Sequence, residues 1–164
     1  MPTMSAGILL YRFAQPGRSE ALEVFIAHMG GPYWERKQQG AWSIPKGEYD
    51  PDAEPALDAA RREFAEELGV DAPDTAYAKL GTFAYSSGKR VVVFVADGSG
   101  FDPEGLAYGE FEMEWPPRSG RTRSFPEVDD ARWVDAREAT DLLVTGQRPA
   151  LEALERLLAA ASTP

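Results

Sequence analysis

The sequence predicts a mixed α/β (α+β) fold in which a mixed β-sheet is covered by helices on both faces. Three observations predict it. Short β-like runs are interspersed with two or three segments of helical periodicity, the pattern expected of a sheet with helices packed upon it. No internal repeat, low-complexity tract or linker-like stretch interrupts the chain, so residues 1–164 are read as one domain. Hydrophobic residues at 43% and charged residues at 27% are ordinary for a globular domain. A chain of this length buries roughly 68–70% of its unfolded surface.

Ser5 to Phe13 is the first expected strand, built on the apolar run Ile8-Leu9-Leu10-Tyr11. The turn-forming string Gln15-Pro16-Gly17-Arg18-Ser19 joins it to a second strand, Ala21 to His28, as a hairpin. Gly30-Gly31-Pro32 breaks that strand, and Tyr33 to Gly40 follows as a polar loop. A short strand at Trp42–Ile44 leads into the loop Pro45-Lys46-Gly47, and a helix is expected over Pro55–Leu68. Thr75–Tyr85 and Arg90–Ala96 are strands around the hairpin loop Ser86-Ser87-Gly88-Lys89. Residues 97–109 are loop-like, Glu110–Trp115 alternates as a strand, and Pro116–Pro126 is a Pro/Arg/Ser-rich loop. A strand near Ala131–Val134 precedes two closing helices, Ala136–Val144 and Pro149–Ala161. The last carries Leu151, Leu154, Leu157 and Leu158 as one stripe.

The helix at Pro55–Leu68 carries the chemistry. Pro55 suits a first turn, Asp52 or Glu54 can cap it, and Gly69 suits the position just past the end. Leu57, Ala60, Phe64 and Leu68 form its apolar stripe. Glu63, Glu66 and Glu67 fall together beside that stripe, near the C-terminal end. Like charges at i,i+4 cost roughly 0.2–0.5 kcal/mol, and anions at a helix C-terminus oppose its dipole by about 0.3–1 kcal/mol. Such a placement is poor for folding and good for divalent cations, because Mg²⁺ and Mn²⁺ prefer oxygen ligands. The plain alternative is a solvated acidic face.

The surrounding residues resemble the signature of the Nudix hydrolases. Gly47, Glu54, Arg62, Glu63, Phe64, Glu66, Glu67, Gly69 and Val70 follow in the family's order. One departure is present: six residues separate Gly47 from Glu54, where the family usually has five. The extra residue falls in a turn at Pro51-Asp52. The entry Trp42-Ser43-Ile44-Pro45-Lys46-Gly47 is similar to that of Nudix enzymes acting on dinucleoside polyphosphates.

The resemblance implies an α/β/α sandwich and a requirement for Mg²⁺ (or Mn²⁺). It implies attack of water on a phosphorus of a pyrophosphate link in a nucleoside diphosphate-X compound, with a dinucleoside polyphosphate first and a nucleoside triphosphate second. It makes Glu63 and Glu67 metal ligands, with Glu66 either a third ligand or the partner that orients Arg62. The Gly47 carbonyl is implied as a further ligand. Arg62, flanked at i,i+4 by Asp58 and Glu66, reads as an organiser of the glutamates. Glu54 clamps the loop through Arg62 or caps the helix. Glu127 occupies the place of a later-loop glutamate that serves as base or metal ligand in several family members; Glu112 and Glu114 are explained by strand alternation.

Lys46 is a candidate phosphate contact, Arg36 and Lys37 candidates for distal phosphates, and Trp34 or Tyr33 for stacking on a base. Trp42, Trp115 and Trp133 are assigned to packing, and His28, the only histidine, to a structural role.

The net charge of −10 opposes binding along a nucleic-acid backbone, but not a small polyanion drawn to bound cations. No apolar run approaches the ~18 residues of a membrane span, and Met1 to Gly7 lacks the basic stretch of a secretory signal. Zero cysteines exclude disulfides and thiolate catalysis and agree with a cytoplasmic enzyme. A homodimer is left open. The rival reading is a Nudix-fold module that senses a nucleotide without turning it over, against which the three intact glutamates count.

Overall fold

The structure, a computed structural model, describes residues 2–15, 18 and 21–161. Pro16, Gly17 and Ser19 of the expected turn lie outside the described residues. The strands are β1 (Met4–Phe13), β2 (Leu22–Met29), β3 (Trp42–Ser43), β4 (Lys46–Glu48), β5 (Ala78–Ala84), β6 (Arg90–Asp97), β7 (Glu110–Glu114), β8 (Thr122–Pro126) and β9 (Val128–Asp135). The helices are α1 (Ala56–Leu68), α2 (Ala136–Leu142) and α3 (Arg148–Ala161), with a 3-10 turn at Thr145–Gln147 before the last.

Seven strands make one mixed sheet. Its path runs β3-β2-β1-β6-β5, with β4 paired to β1 and β9 to β2. β1 and β6 are parallel, from Met4↔Arg90 to Tyr11↔Asp97, and the other pairings are antiparallel. One edge of β1 is divided. Its C-terminal end pairs with β2 at Tyr11↔Val24, and its N-terminal end pairs with β4 at Ala6↔Gly47. That division admits the Lys46-Gly47 loop into the sheet.

Because successive strand side chains point to opposite faces, each strand supplies two cores. Ala6, Ile8, Leu10, Phe25, Val92 and Phe94 meet Ala59, Ala60, Phe64 and Leu68 of α1. Leu9, Val24, Ile26, Val91, Val93 and Val95 face the other way, against Ala139, Leu143, Ala150, Leu151 and Leu154. Helices thus cover both faces, as expected. Each large side chain fully buried contributes about 1.5–3 kcal/mol, which explains why β1 and β6 read as unbroken apolar runs.

Three expectations are corrected. Residues 122–126, expected as loop, form β8 and pair with β7 as a separate ribbon, Phe111↔Phe125. Lys46–Glu48 is a strand that only its tertiary partner β1 reveals. Leu157 stands 44% exposed, whereas Leu151 and Leu154 are buried, so the stripe on α3 is narrower than its leucines suggest.

Candidate active site

The strand β4 and the helix α1 meet where Gly47 faces Glu63. A Cβ added at Gly47 would overlap the Glu63 carboxylate, so glycine is what allows the carboxylate to lie against the loop. Burial, above all, raises the Glu63 carboxyl above its ordinary range, against the pull of Arg62.

Arg62 is the hub. Its Nη2 and Nε donate to Glu54 at 2.5 and 3.3 Å, and its Nη1 donates to Glu63 at 2.8 Å and to Glu66 at 3.3 Å. Forked, charge-assisted bonds of this kind fix orientation as well as charge. Glu54 therefore clamps the loop rather than capping the helix: α1 has no side-chain cap, and Pro55 holds the N-cap position in an extended conformation. The extra residue before Glu54 is absorbed in a turn. Asp50 accepts from the backbone N–H groups of Asp52, Ala53 and Glu54.

Glu67 is turned inward. It accepts from the Lys46 backbone N–H at 3.3 Å, and its carboxyl is raised to about 8. Burial is the main cause; the charge and N–H of Lys46 oppose it, and Glu127 and Glu63 reinforce it. Glu127 is also raised, first by burial and then by Glu63 and Glu66. The expected later-loop glutamate thus stands within electrostatic reach of the helix glutamates.

Gly109 makes that placement. Past the C-cap Gly69, which is left-handed (φ 73°), Ala107 and Gly109 donate to the carbonyls of Leu68 and Glu67 at 2.9 and 3.3 Å. Gly109 in turn accepts from the Glu127 N–H at 2.7 Å. A side chain on Gly109 would meet the Glu66 carbonyl at 2.7 Å and the Glu127 carboxylate at 3.3 Å. The end of the helix and Glu127 are therefore joined through one glycine.

Beside Gly47 opens a cleft of about 320 Å³, whose lining includes Lys46, Tyr85, Ser87, Lys89 and Arg90. Lys46, the candidate phosphate contact, is among the residues that line it. The sequence reading missed Lys89 and Arg90, which are ordinary surface cations until β5 and β6 bring them beside β4. It also missed Gln147, which is fully buried. Gln147 accepts from the Ile44 N–H at 2.7 Å and donates to Tyr85 Oη and Ser43 Oγ at 2.8 and 2.9 Å.

Trp34 and Arg36 are not brought to the glutamates. Trp34 packs against the core on the α2/α3 side of the sheet, with Lys37 5.4 Å from its ring centroid, and Arg36 is exposed on the same turn. Trp42 is buried, and Trp133 packs on Phe25 with ring centroids 5.4 Å apart. His28 is buried between Asp129 and the Lys37 carbonyl, each 2.6 Å from a ring nitrogen. It tethers the loop.

Among the described residues, no three acidic or imidazole side chains are already gathered as a coordination shell, because Glu63 and Glu66 are engaged by Arg62. The donor set still fits a hard divalent cation. Burial is the first cause that raises the Glu63, Glu67 and Glu127 carboxyls, and neighbouring carboxylates add to it: Glu66 and Glu54 at Glu63, Glu127 and Glu63 at Glu67, Glu63 and Glu66 at Glu127. A cation among them would relieve both.

A family profile for the NUDIX domain matches residues 1–154. An uncharacterized 17.7 kDa protein of Enterobacteria phage T4, from the e-segB intergenic region, is 36% identical over 96 residues. That alignment covers 57% of this chain and 58% of the phage protein. The Ap4A hydrolase of C. elegans, solved as a binary complex, superposes with a TM-score of 0.62 at 20% identity, over 95% of this chain and 98% of that one. The NUDIX domain of Shewanella oneidensis NrtR, solved with ADP ribose, gives 0.62 at 14% identity, covering 96% and 89%. The MutT protein of Methanosarcina mazei Go1 gives 0.58 at 20%, covering 96% of each.

Proposed function

The chain belongs to the Nudix family, and from that premise we propose that it is a Nudix hydrolase, a metal-dependent pyrophosphohydrolase of nucleoside diphosphate-X compounds. Dinucleoside polyphosphates are the first substrate class and nucleoside triphosphates the second. The observation that carries the reading is that Glu63 and Glu67 lie against the Lys46-Gly47 segment, with Glu127 within electrostatic reach of Glu67, beside a cleft lined by Lys46, Lys89 and Arg90 together with Glu48.

Glu63, Glu67 and Glu66, with the Gly47 carbonyl, would hold Mg²⁺ or Mn²⁺. A bound divalent cation supplies Lewis-acid polarisation of the phosphoryl oxygens and offsets charge on the leaving phosphate. Glu127 takes the proton of the attacking water, a role suited by a carboxyl raised above its ordinary range by burial and by Glu63 and Glu66. Lys46 holds the phosphate beside the attacked phosphorus, and Lys89 and Arg90 hold those further along the cleft. Arg62 positions Glu63 and Glu66 without touching substrate. The same proposal takes the chain as one catalytic domain working in the cytoplasm, a setting with which a cysteine-free sequence agrees. Among the described residues, no helix is long and apolar enough to cross a membrane.

The test is phosphate release from a panel of nucleoside polyphosphates with Mg²⁺, with Mn²⁺ and with chelator, and with inorganic pyrophosphatase coupling to show which bond breaks. Metal-dependent hydrolysis, abolished in Glu67→Gln, is the expected result. Hydrolysis that persists undiminished in chelator would sink the reading. Ligand-induced thermal stabilisation without turnover would support a sensor instead.

A further inference from the structure

The ribbon of β7 and β8 stands apart from the main sheet, and its two faces differ in chemistry. Glu110, Glu112 and Glu114 lie on one face, where Glu110 accepts from Ser124 at 3.2 Å. Strand alternation puts Phe111, Met113 and Trp115 on the other, opposite Phe125, Arg123 and Arg121. Phe111 and Phe125 lie 6.1 Å apart, Trp115 and Phe125 6.4 Å, and the Arg123 guanidinium sits 5.4 Å from the Phe125 ring centroid. Tyr33, 55% exposed, meets Trp115 edge-on at 5.4 Å. Among the described residues neither Arg121 nor Arg123 enters an ion pair, on a chain whose net charge is −10.

The foot of this face is fixed to the active site. β7 starts next to Gly109, which bonds the Glu67 carbonyl, and β8 ends next to Glu127. The Phe111 ring meets Gly31, which anchors the face to the turn bearing Tyr33. At roughly 3.3 Å per residue, Arg121 stands about 20 Å along the strand from Glu127. That span suits a phosphate chain with a second nucleoside at its end.

We propose that this face is an outer subsite for the distal nucleoside of a dinucleoside polyphosphate. Its base stacks on the Tyr33–Trp115 pair, and its neighbouring phosphates are held by Arg121 and Arg123. Aromatic rings alone would suit any apolar partner. Guanidiniums interleaved with them select a flat ring carried on an anionic chain. The proposal rests on the pyrophosphohydrolase reading for its choice of ligand, and its test is arranged so that either can fail alone.

Binding is measured on the full chain in chelator, by tryptophan fluorescence, with diadenosine tetraphosphate, ATP and inorganic tripolyphosphate as probes. Diadenosine tetraphosphate should quench, tripolyphosphate should not, and Trp115→Phe should remove most of the quench. The double variant R121A/R123A should weaken diadenosine tetraphosphate at least tenfold while moving ATP less than threefold. In turnover the same variant should raise KM for the dinucleotide and leave kcat within twofold. Thermal unfolding of each variant confirms that the ribbon substitutions leave the fold intact. Unchanged dinucleotide affinity in a folded R121A/R123A overturns the subsite, as does tighter capture of a single-stranded oligonucleotide than of the dinucleotide. Ribbon-dependent binding without any hydrolysis by the native chain retains the subsite and removes the catalytic reading.

Discussion

The Cα of Gly47 lies against the carboxylate of Glu63, so close that a methyl group added there would claim the same space. The two residues belong to different elements, a three-residue strand and a helix, and meet because β1 pairs with Gly47 at Ala6 while packing beneath α1. The glycine is required by what faces it, since its own backbone is not left-handed.

Gly47→Ala should therefore act on Glu63 and little on stability. The carboxylate is the far end of a flexible side chain and swings aside. A displacement on the order of 1 Å costs about 100-fold in turnover. Steady-state hydrolysis with Mg²⁺ beside thermal unfolding checks this; a large drop in Tm with normal kcat in the folded fraction would contradict it.

Arg62→Lys should retain charge and lose the fork to Glu54. Residues that orient metal ligands typically cost 10–100-fold when replaced, and a fall in Mg²⁺ affinity of about that size is expected. Glu54→Gln should weaken Mg²⁺ as well, and the pair should be less than additive, because both act through one contact. Strict additivity in a double-mutant cycle would show that Glu54 works independently.

Without metal, Glu67 should make stability depend on pH. Its carboxyl is raised to about 8 in the folded chain, so the folded state holds the proton more tightly than the unfolded one. That contribution is fully present below the ordinary carboxylate range of about 4.3 and is lost as pH rises through about 8. Melting curves from pH 5 to 9, native against Glu67→Gln, should show a steeper decline with pH in the native chain than in the variant, where the raised Glu63 and Glu127 carboxyls leave a smaller one. Metal addition near neutral pH should also release protons, measurable by calorimetry in buffers of different ionisation enthalpy.

Gln147→Leu should destabilise through its orphaned partners. The Ile44 N–H and the Tyr85 hydroxyl would lose their bonds in a buried setting, at about 1–3 kcal/mol. For a chain of this size each kcal/mol lowers Tm by about 2–4 °C. Because Ile44 leads to Lys46 and Tyr85 lines the cleft, KM should rise with it. A KM unchanged in a destabilised variant would confine Gln147 to the core.

Two-sided burial made β1 and β6 legible, and the signature around Gly47 and α1 is read from side chains in sequence order. What escaped has no side-chain signature. Residues 122–124 are exposed and polar, so β8 shows no apolar alternation, and only its ladder with β7 defines it. Gly109 acts through its backbone and its lack of a Cβ. Gln147 looks like any polar residue before a helix until Ser43, Ile44 and Tyr85 converge on it. Trp34 is expected at a base because it lies in a polar loop, yet it finds enough apolar surface on the α2/α3 side to be partly buried there.

The parallel pairing of β1 with β6 also bears on how the protein is made. A chain leaving the ribosome exposes β1 and α1 well before Val92 and Phe94, which complete the apolar floor beneath Phe64 and Leu68. β2 waits longer still, since its outer edge is closed by β9, with Glu23 opposite Asp135. Glu127 emerges just ahead of that last strand. The glutamates written together near the middle of the sequence thus become a site only when most of the chain has been synthesised, and a nascent fragment ending before β6 carries the whole signature without the means to assemble it.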